Sequence, residues 1–521
     1  MKQAYKNIKE KYLNNASDVS RTAALFNDFN VETNFLYVKY APQTEQEEAT
    51  LKSDSTLILF DYPLDYEFTD EELANRPPLA ENEIPQYYAA INITSDQAAD
   101  EQYQLLEQLY IPEQDAYFDQ ISTTENNTPT TPEVIDTKQD LLRHLIYEAY
   151  TLTGNEAQLE TPDNLDNGRW IFGSKWYPFG NIQVLDEVAG RSVPVTGAQV
   201  LMRQWFTVRQ GITDGNGTFV TNWVRGKARY ILQWERHQYS IRNGSFFQAE
   251  NRGPNVKNQP WFYMAFMGDA KYHALIHQAA CDYYYGHRFG LAPPPLNGHI
   301  YPFGYQRQMK IAARQTAPWN FPSSYSHLRH EITFGILAQV HVKAWGDRSD
   351  KVYGTTIHEL THAQHSVVDR FSYDNIVRDT YTNTNLAVRN RNKRLLETWP
   401  TTVEIMMTLD RYRNRFGMLS YEYKDQNPNT SYTGNLQLVP ILAENHYTSG
   451  GYDLLDGFNQ SKYNNESFTF PMDRVEGYSL NQLEFSLIGA RSWYGWRDNI
   501  KRHFDNTTEV YVDELFNNWQ D

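Results

Sequence analysis

The spacing of apolar residues in the first third of the chain alternates between helical and strand-like patterns. Tyr12–Phe29 and Leu141–Thr151 carry apolar residues at helical spacing, whereas Phe35–Tyr40 and Thr56–Phe60 alternate or run apolar as strands do. We find no motif that carries chemistry in this part of the chain. The pattern predicts a mixed α/β N-terminal region over residues 1–168, with a role that the sequence leaves open.

The next part of the chain has the pattern of a small β-sandwich. Its short segments are rich in strand-forming residues and are separated by turn residues, as in sandwich domains. These segments are Ile182–Leu185, Gln199–Met202, Phe219–Thr221 and Tyr230–Trp234. We therefore expect a β-sandwich over residues 169–250.

Two turn motifs of this segment carry a family resemblance. Pro194–Ala198 precedes one strand, and Thr213–Phe219 contains the Asp-Gly and Asn-Gly pairs of tight hairpins. The segment resembles the carboxypeptidase regulatory-like (transthyretin-like) domain, which implies an accessory role. Asp214 could open a calcium loop, but an EF-hand needs Glu at the twelfth position, where this chain has Arg225. We therefore exclude an EF-hand.

Helical patterns dominate the rest of the chain, from residue 251 to residue 521. We expect this part to form one largely helical domain, and the chemistry-bearing motif described below lies within it. The expected fold class is therefore α+β multidomain, with a mixed N-terminal region, a small β-sandwich and a helical domain.

Composition narrows the range of partners. The net charge is −17, from 47 basic and 64 acidic residues, and no basic run is present, so nucleic acid is excluded as a partner. No apolar stretch is long enough to span a membrane. With Cys281 as the single cysteine, neither an internal disulfide nor a Cys-based zinc site can form. The oligomeric state is not predicted.

The content of aromatic residues, Asn and Gln is typical of exported bacterial proteins. It predicts an extracytoplasmic protein, secreted, periplasmic or a surface lipoprotein, whose signal has been removed; a cytoplasmic location stays open.

The segment His358-Glu359-Leu360-Thr361-His362 has the H-E-x-x-H spacing. Because residues four apart share one face of a helix, both imidazoles can point at one metal ion. Glu359 lies about 100° further round the helix, where it can act as the base for a metal-activated water. Thr355 or Thr356 is expected to cap the helix. The motif predicts a catalytic zinc site with Zn²⁺ as the cofactor.

Catalytic zinc needs a third protein ligand. The metzincin continuation H-E-x-x-H-x-x-G-x-x-H fails, because His365 and Val368 stand at its glycine and last histidine positions. Downstream, the segment Glu397–Glu404 resembles the glutamate helix of gluzincins, although Thr398 replaces the usual glycine and Pro400 the usual small residue.

The gluzincin resemblance implies that Glu397 is the third ligand and that Glu404, two turns later on the same face, supports a ligand histidine. Glu404 remains the rival third ligand. Pro400 is expected either to kink the helix or to lie in its first turn. The domain over residues 251–521 is thus expected to be a zincin of the gluzincin type.

The resulting hypothesis is a metallopeptidase that hydrolyses peptide bonds with a zinc-bound water and Glu359 as general base. Such sites often add a donor for the developing oxyanion. The candidates for this role are His446, Tyr447, Tyr452 and Tyr478.

Two other functions stay open. One is a zinc hydrolase acting on a non-peptide amide or ester, and the other is a surface binding protein with a degenerate peptidase domain. The intact Glu359 argues against the second, because a structural metal does not require it. The choice between endopeptidase and exopeptidase, and the physiological substrate, also stay open.

Overall fold

A computed structural model describes most of the chain. The described residues are 2–15, 19–29, 31–77, 79, 83–99, 102–111, 135, 137–154, 175–244, 247–301, 304–305, 307–315, 324–325, 338–423, 437–441 and 446–519. Within them the fold is mixed α+β, with several small sheets, as the sequence predicts.

The α-helices are numbered in chain order. They are α1 Lys2–Asn15, α2 Val19–Asp28, α3 Glu45–Ser53, α4 Asp70–Ala74, α5 Asp96–Ala99, α6 Lys138–Leu152, α7 Gly268–Tyr285, α8 Ser349–Val368, α9 Arg370–Thr382, α10 Leu386–Leu409, α11 Gly450–Asp453, α12 Leu480–Phe485, α13 Trp493–His503 and α14 Val512–Asn517. None of the helices in the described ranges has the length and apolar character needed to cross a membrane.

The strands are numbered in the same way. They are β1 Phe35–Tyr40, β2 Tyr87–Asn92, β3 Gln104–Leu109, β4 Phe179–Asp186, β5 Arg191–Pro194, β6 Gln199–Gln204, β7 Thr207–Ile212, β8 Thr218–Val220, β9 Ala228–Gln233, β10 Tyr239–Asn243, β11 Phe247–Gln248, β12 Glu250–Val256, β13 Trp261–Ala265, β14 Ile300–Tyr301, β15 Gly304–Tyr305, β16 Met309–Ala313, β17 Ser324–Tyr325 and β18 Val340–Val342.

The N-terminal strands form an antiparallel sheet in the order β2-β1-β3. Phe35–Tyr40 is the strand that the sequence predicts. Thr56–Phe60, also predicted as a strand, makes only a single bridge, from Phe60 to Tyr88. Of the predicted helical segment Tyr12–Phe29, the first residues end α1 and Val19–Asp28 forms α2, whereas residues 16–18 lie outside the described residues.

Two four-stranded sheets follow, in the region where the sequence predicts a sandwich. One has the order β12-β9-β6-β7, and the other has the order β13-β4-β5 with β8 also paired to β4. Inner side chains of both sheets, such as Ile182, Val200 and Leu232, pack in one hydrophobic cluster.

Strand pairing does not follow the predicted boundary at residue 250. Strands β12 and β13 extend the two sheets to Ala265, whereas β10 leaves them for another sheet. The sequence of β12, Glu250–Val256, is polar and contains Gly and Pro, so it lacks the apolar alternation by which strands are recognised.

The sheet beside the helical part is mixed, in the order β11-β10-β16-β18-β17. Strands β10, β16 and β18 run parallel, and β17 pairs antiparallel to β18 at the edge. Helix α7 packs against this sheet and against α8. The large core is continuous from the paired sheets to the helices, because Ile182, Ile357 and Trp399 belong to the same cluster.

Candidate metal centre

Two packed helices, α8 and α10, supply the centre. On α8, Ile357 and Leu360 are fully buried and hold the helix against the core, which turns His358 and His362 towards α10. On α10, the indole N–H of Trp399 donates a hydrogen bond to Gln364 of α8 at 3.0 Å. These contacts fix the rotation of both helices, so each presents one defined face to the other.

One carboxylate oxygen of Glu397 contacts both imidazoles. Its Oε2 lies 3.4 Å from Nε2 of His358 and 3.5 Å from Nε2 of His362. Both separations exceed those of good N–H···O hydrogen bonds, about 2.7–3.2 Å. Tetrahedral zinc ligands at about 2.0–2.1 Å from the ion are about 3.4 Å apart. The spacing therefore fits three ligands of one zinc ion.

All three side chains are buried, and their candidate ligand atoms lie within 4.8 Å of one another. Two imidazoles and one carboxylate are also the donor set of many catalytic zinc sites. In addition, the buried Nδ1 of His362 has no hydrogen-bond partner in the described part of the chain. Geometry and chemistry both show that these residues could hold a metal ion.

Glu404 contacts the other side of His358. Its Oε2 accepts a hydrogen bond from Nδ1 of His358 at 3.0 Å, so Nδ1 carries a proton and Nε2 is the nitrogen that faces Glu397 and His362. The second oxygen, Oε1, accepts a hydrogen bond from the hydroxyl of Tyr423 at 2.5 Å. The structure thus groups Glu397 with the histidine pair and places Glu404 behind it.

Gly354, one turn before His358, leaves the space that this arrangement needs. A Cβ atom at this position would lie 2.1 Å from the hydroxyl of Tyr423 and 3.0 Å from Oε1 of Glu404. Neither Gly354 nor Tyr423 is found by sequence analysis, because the close approach is formed by segments that are distant in the chain.

The electrostatics of the pocket favour positive charge. Burial alone would raise the pKa of Glu397, but the nearby imidazoles of His358 and His362 hold it well below its usual range. Burial would lower the pKa of His358, but the close carboxylates of Glu397 and Glu404 raise it to about 10. Burial lowers the pKa of His362. The pocket therefore keeps its carboxylates ionised.

Glu359 is buried on α8 beside the two histidines. Two tyrosine hydroxyls lie near the centre. The pKa of one is raised by the charge of Glu397, then by burial and the charge of Glu359. The pKa of the other is raised by burial, then by the charges of Glu397 and Glu359. One is Tyr447, whose ring centre is 5.9 Å from that of His358 and whose side chain is 47% exposed. The other is Tyr381 on α9, which is 68% exposed and which sequence analysis missed.

The remaining predicted donors lie elsewhere. Tyr452 packs in a separate aromatic cluster with Tyr412 and Tyr421. Tyr478 is buried in the main core. The backbone carbonyl of His446 accepts a hydrogen bond from Thr398 of α10 at 3.5 Å. Of the four candidates, the structure brings Tyr447 into ring contact with a predicted metal ligand.

One local prediction about the helices is wrong, and one of two alternatives for Pro400 is excluded. Helix α8 begins at Ser349 after Arg348, so Thr355 and Thr356 lie in its interior, where the hydroxyl of Thr356 bonds the carbonyl of Val352. Pro400 lies in the interior of α10 and not in its first turn. In the turn after Glu397, the hydroxyl of Thr401 donates to the Glu397 carbonyl at 2.8 Å.

His365, three residues after His362, is fully buried and packs against Tyr373. Burial lowers its pKa to about 3, and neither ring nitrogen has a hydrogen-bond partner in the described ranges. It is therefore a neutral side chain beside the centre.

Comparisons of the chain with known protein families, curated proteins and solved structures gave no match.

Proposed function

We propose that the chain is a zinc-dependent metallopeptidase of the gluzincin type, with His358, His362 and Glu397 as metal ligands. The observation that carries this proposal is the contact of Glu397 Oε2 with both Nε2 atoms at 3.4 and 3.5 Å. Three buried protein ligands leave one position of a tetrahedral ion open, which is the arrangement of catalytic zinc and not of structural zinc.

A zinc ion bound here would lower the pKa of a water to about 7 and polarise the substrate carbonyl. Glu359 is the general base: it follows His358 on the same helix, so its carboxylate lies beside the ligands without replacing one. It accepts a proton from the attacking water and then donates that proton to the leaving amine. The burial of Glu359 limits competing contacts with bulk water.

Tyr447 is the proposed donor to the developing oxyanion. The charge of Glu397, then burial and the charge of Glu359, raise the pKa of Tyr447 well above its usual range. Its hydroxyl therefore keeps its proton and can donate a hydrogen bond throughout the neutral range. The half-exposed ring also leaves room for a substrate.

A peptide substrate is favoured by the position of β17. Among the described residues this strand is the edge of the five-stranded sheet, and it contacts α8, the helix that carries His358 and His362. An edge strand can pair with an extended peptide through main-chain hydrogen bonds, which requires no particular peptide sequence. Esters and isolated amides lack a continuous backbone for such pairing.

For the paired sheets of residues 175–265, we propose a supporting role, as the transthyretin-like resemblance implies. Gln278 of α7 donates to the carbonyl of Pro194 at 2.8 Å, and His277 contacts the carbonyl of Thr196 at 3.0 Å. Since α7 also packs on α8, these contacts support the helix of the metal centre.

The test is hydrolysis of an unbiased peptide library by the zinc-loaded full chain. We expect cleavage that is removed by zinc chelation and restored by zinc. Glu359→Gln should retain zinc and lower kcat by about 100-fold or more, because it removes the base and keeps the shape. A chain that cleaves only esters or non-peptide amides would support the alternative hydrolase, and a fully active Glu359→Gln variant would contradict the mechanism.

A further inference from the structure

A second group of candidate ligands lies after α11, away from the histidines. Asp453 ends that helix, Asp456 follows three residues later, and Asp473 comes from the segment before α12. One carboxylate oxygen from each aspartate lies within 4.8 Å of the others. Asp453 is 0% exposed and Asp473 is 2% exposed, so two of the three carboxylates are removed from water.

These carboxylates have few compensating partners. Asp453 accepts hydrogen bonds from the hydroxyl of Ser449 and from Nε2 of Gln460. Oδ1 of Asp473 accepts one from the backbone N–H of Val475 at 2.9 Å, but its buried Oδ2 accepts none from the residues that the structure describes. No ion pair joins any of the three to a Lys or Arg within the described ranges.

Asp456 is the half-buried member of the group. It accepts hydrogen bonds from Gln437 at 2.7 Å and from the N–H of Phe458 at 3.4 Å. Burial raises the pKa of Asp456, whereas the positive charge of Arg413 lowers it. The Arg413 guanidinium nevertheless donates its hydrogen bond to the carbonyl of Tyr421 and not to Asp456.

Gln460 is an independent sign of a ligand. Its side chain is fully buried and its Nε2 donates to Asp453, so the amide group lies beside the cluster. The other atom of that amide, Oε1, has no hydrogen-bond partner in the described part of the chain. A buried acceptor without a donor is unfavourable, and a cation at this position would offset that cost.

The donor chemistry identifies the class of cation. The cluster offers carboxylate oxygens and one amide carbonyl oxygen, with no imidazole or thiolate, which disfavours zinc and favours a hard ion. Calcium binds such oxygens at about 2.3–2.6 Å, so its ligand atoms can be about 5 Å apart. Magnesium requires about 2.1 Å and regular octahedral geometry. We propose that Asp453, Asp456 and Asp473, with the Gln460 carbonyl, bind Ca²⁺.

This cation would stabilise a segment that reaches the metal centre. Helix α11 packs on α10, where a Cβ atom on Gly451 would lie 2.0 Å from the hydroxyl oxygen of Thr402. The hydroxyls of Thr398 and Thr448 are 2.9 Å apart. Tyr447 precedes these contacts directly. A cation at the cluster therefore fixes the far end of the segment that carries Tyr447.

The test uses the full chain, stripped on a chelating resin and given back one equivalent of zinc. Titration calorimetry should show one Ca²⁺ bound per chain, at least tenfold tighter than Mg²⁺. Saturating Ca²⁺ should raise the unfolding midpoint by about 2 °C. The proposal is overturned if the chain binds no Ca²⁺ or binds only Mg²⁺. If it binds no Ca²⁺, the aspartates are stabilised by shared protons and not by a cation.

Three variants complete the test. Asp473→Asn and Asp456→Asn should each weaken Ca²⁺ binding at least tenfold, while Asp505→Asn, at an exposed aspartate, should leave it unchanged. Asp473→Asn should also raise the midpoint without Ca²⁺, because it replaces one of three clustered carboxyl groups, two of them buried, by a neutral amide. Unchanged Ca²⁺ affinity in both cluster variants contradicts the assignment. Because calorimetry requires no hydrolysis, its result is independent of the proposed peptidase activity.

Discussion

At the scale of the residue, Glu397 and Glu404 have different partners although they share one face of α10. Glu397 contacts Nε2 of both histidines, whereas Glu404 contacts Nδ1 of His358 and the hydroxyl of Tyr423. A seven-residue spacing alone leaves either glutamate as the third ligand. The distinction depends on which imidazole nitrogen each carboxylate reaches, and this is set by the packing of α8 on α10.

We therefore expect unequal effects of two alanine substitutions. Glu404→Ala should weaken zinc binding about 10–100-fold, because it removes only the support of His358. Glu397→Ala should weaken it at least tenfold more, because it removes a direct ligand. Competition with a chelator of known affinity measures both. The reverse order would make Glu404 the ligand.

A second prediction at this scale concerns the two tyrosines near the centre. Tyr447→Phe should lower kcat about 100-fold with little change in KM, because the lost hydrogen bond would act mainly on the transition state. Tyr381→Phe is the matched control and should change kcat less, since Tyr381 makes no ring contact with His358 among the described contacts. Equal losses of kcat in both variants would contradict the role of Tyr447 as the oxyanion donor.

Among the elements, part of the geometry of the α8–α10 helix pair could be predicted from the sequence. The four-residue spacing of His358 and His362 predicts both the helix and the shared face, because helical geometry alone determines them. The start of α8 at Ser349 was not predicted, because its first N–H donates to the carboxylate of Glu187, a residue distant in the chain. Tyr381, Tyr423 and Gly354 were also missed, since their roles depend on contacts between segments distant in the chain.

The close approach at Gly354 gives an element-scale prediction. Gly354→Ala places a methyl group where Tyr423 and Glu404 meet, so we expect Glu404 to lose its hydrogen bond to Nδ1 of His358. Zinc affinity should fall about 10–100-fold, as for Glu404→Ala. Chelator competition measures the affinity. Thr355→Ala, on the next residue of the same helix, should leave it unchanged, and wild-type affinity in Gly354→Ala would contradict the crowding argument.

At the scale of the whole molecule, the N-terminal region is joined to the rest by buried charge. Helix α3 supplies Glu48 and Lys52, which pair with Lys310 of β16 at 2.7 Å and with Glu235 at 3.0 Å. The large core likewise joins the paired sheets to the helices. Composition and periodicity predicted the mixed α+β fold, but not these contacts, because pairing between distant segments leaves no local pattern.

The buried ion pair of Glu48 with Lys310 predicts a pH-dependent contribution to stability. Burial would raise its pKa, but Lys310 and the hydrogen bond from Tyr87 lower it to about 2. A lowered pKa stabilises the fold above pH 4.5, and this contribution is lost as pH falls towards 2. Glu48→Gln should cost about 3 kcal/mol at neutral pH, because it leaves Lys310 buried without its counter-charge.

Urea unfolding across this pH range measures the contribution of Glu48. The difference between the variant and the wild type should shrink as pH falls from 4.5 towards 2. Glu47→Gln, at the exposed neighbouring position, should behave as wild type. A difference that does not change with pH would contradict the assigned role of the Glu48 charge.

Two imidazoles on α8 and one carboxylate on α10 are proposed to hold a single zinc ion. Anomalous diffraction at the zinc absorption edge, on crystals of the zinc-loaded chain, locates that ion. We predict one strong peak about 2.0–2.2 Å from Nε2 of His358, Nε2 of His362 and a carboxylate oxygen of Glu397. A zinc-loaded crystal without a peak between these three atoms would contradict the account.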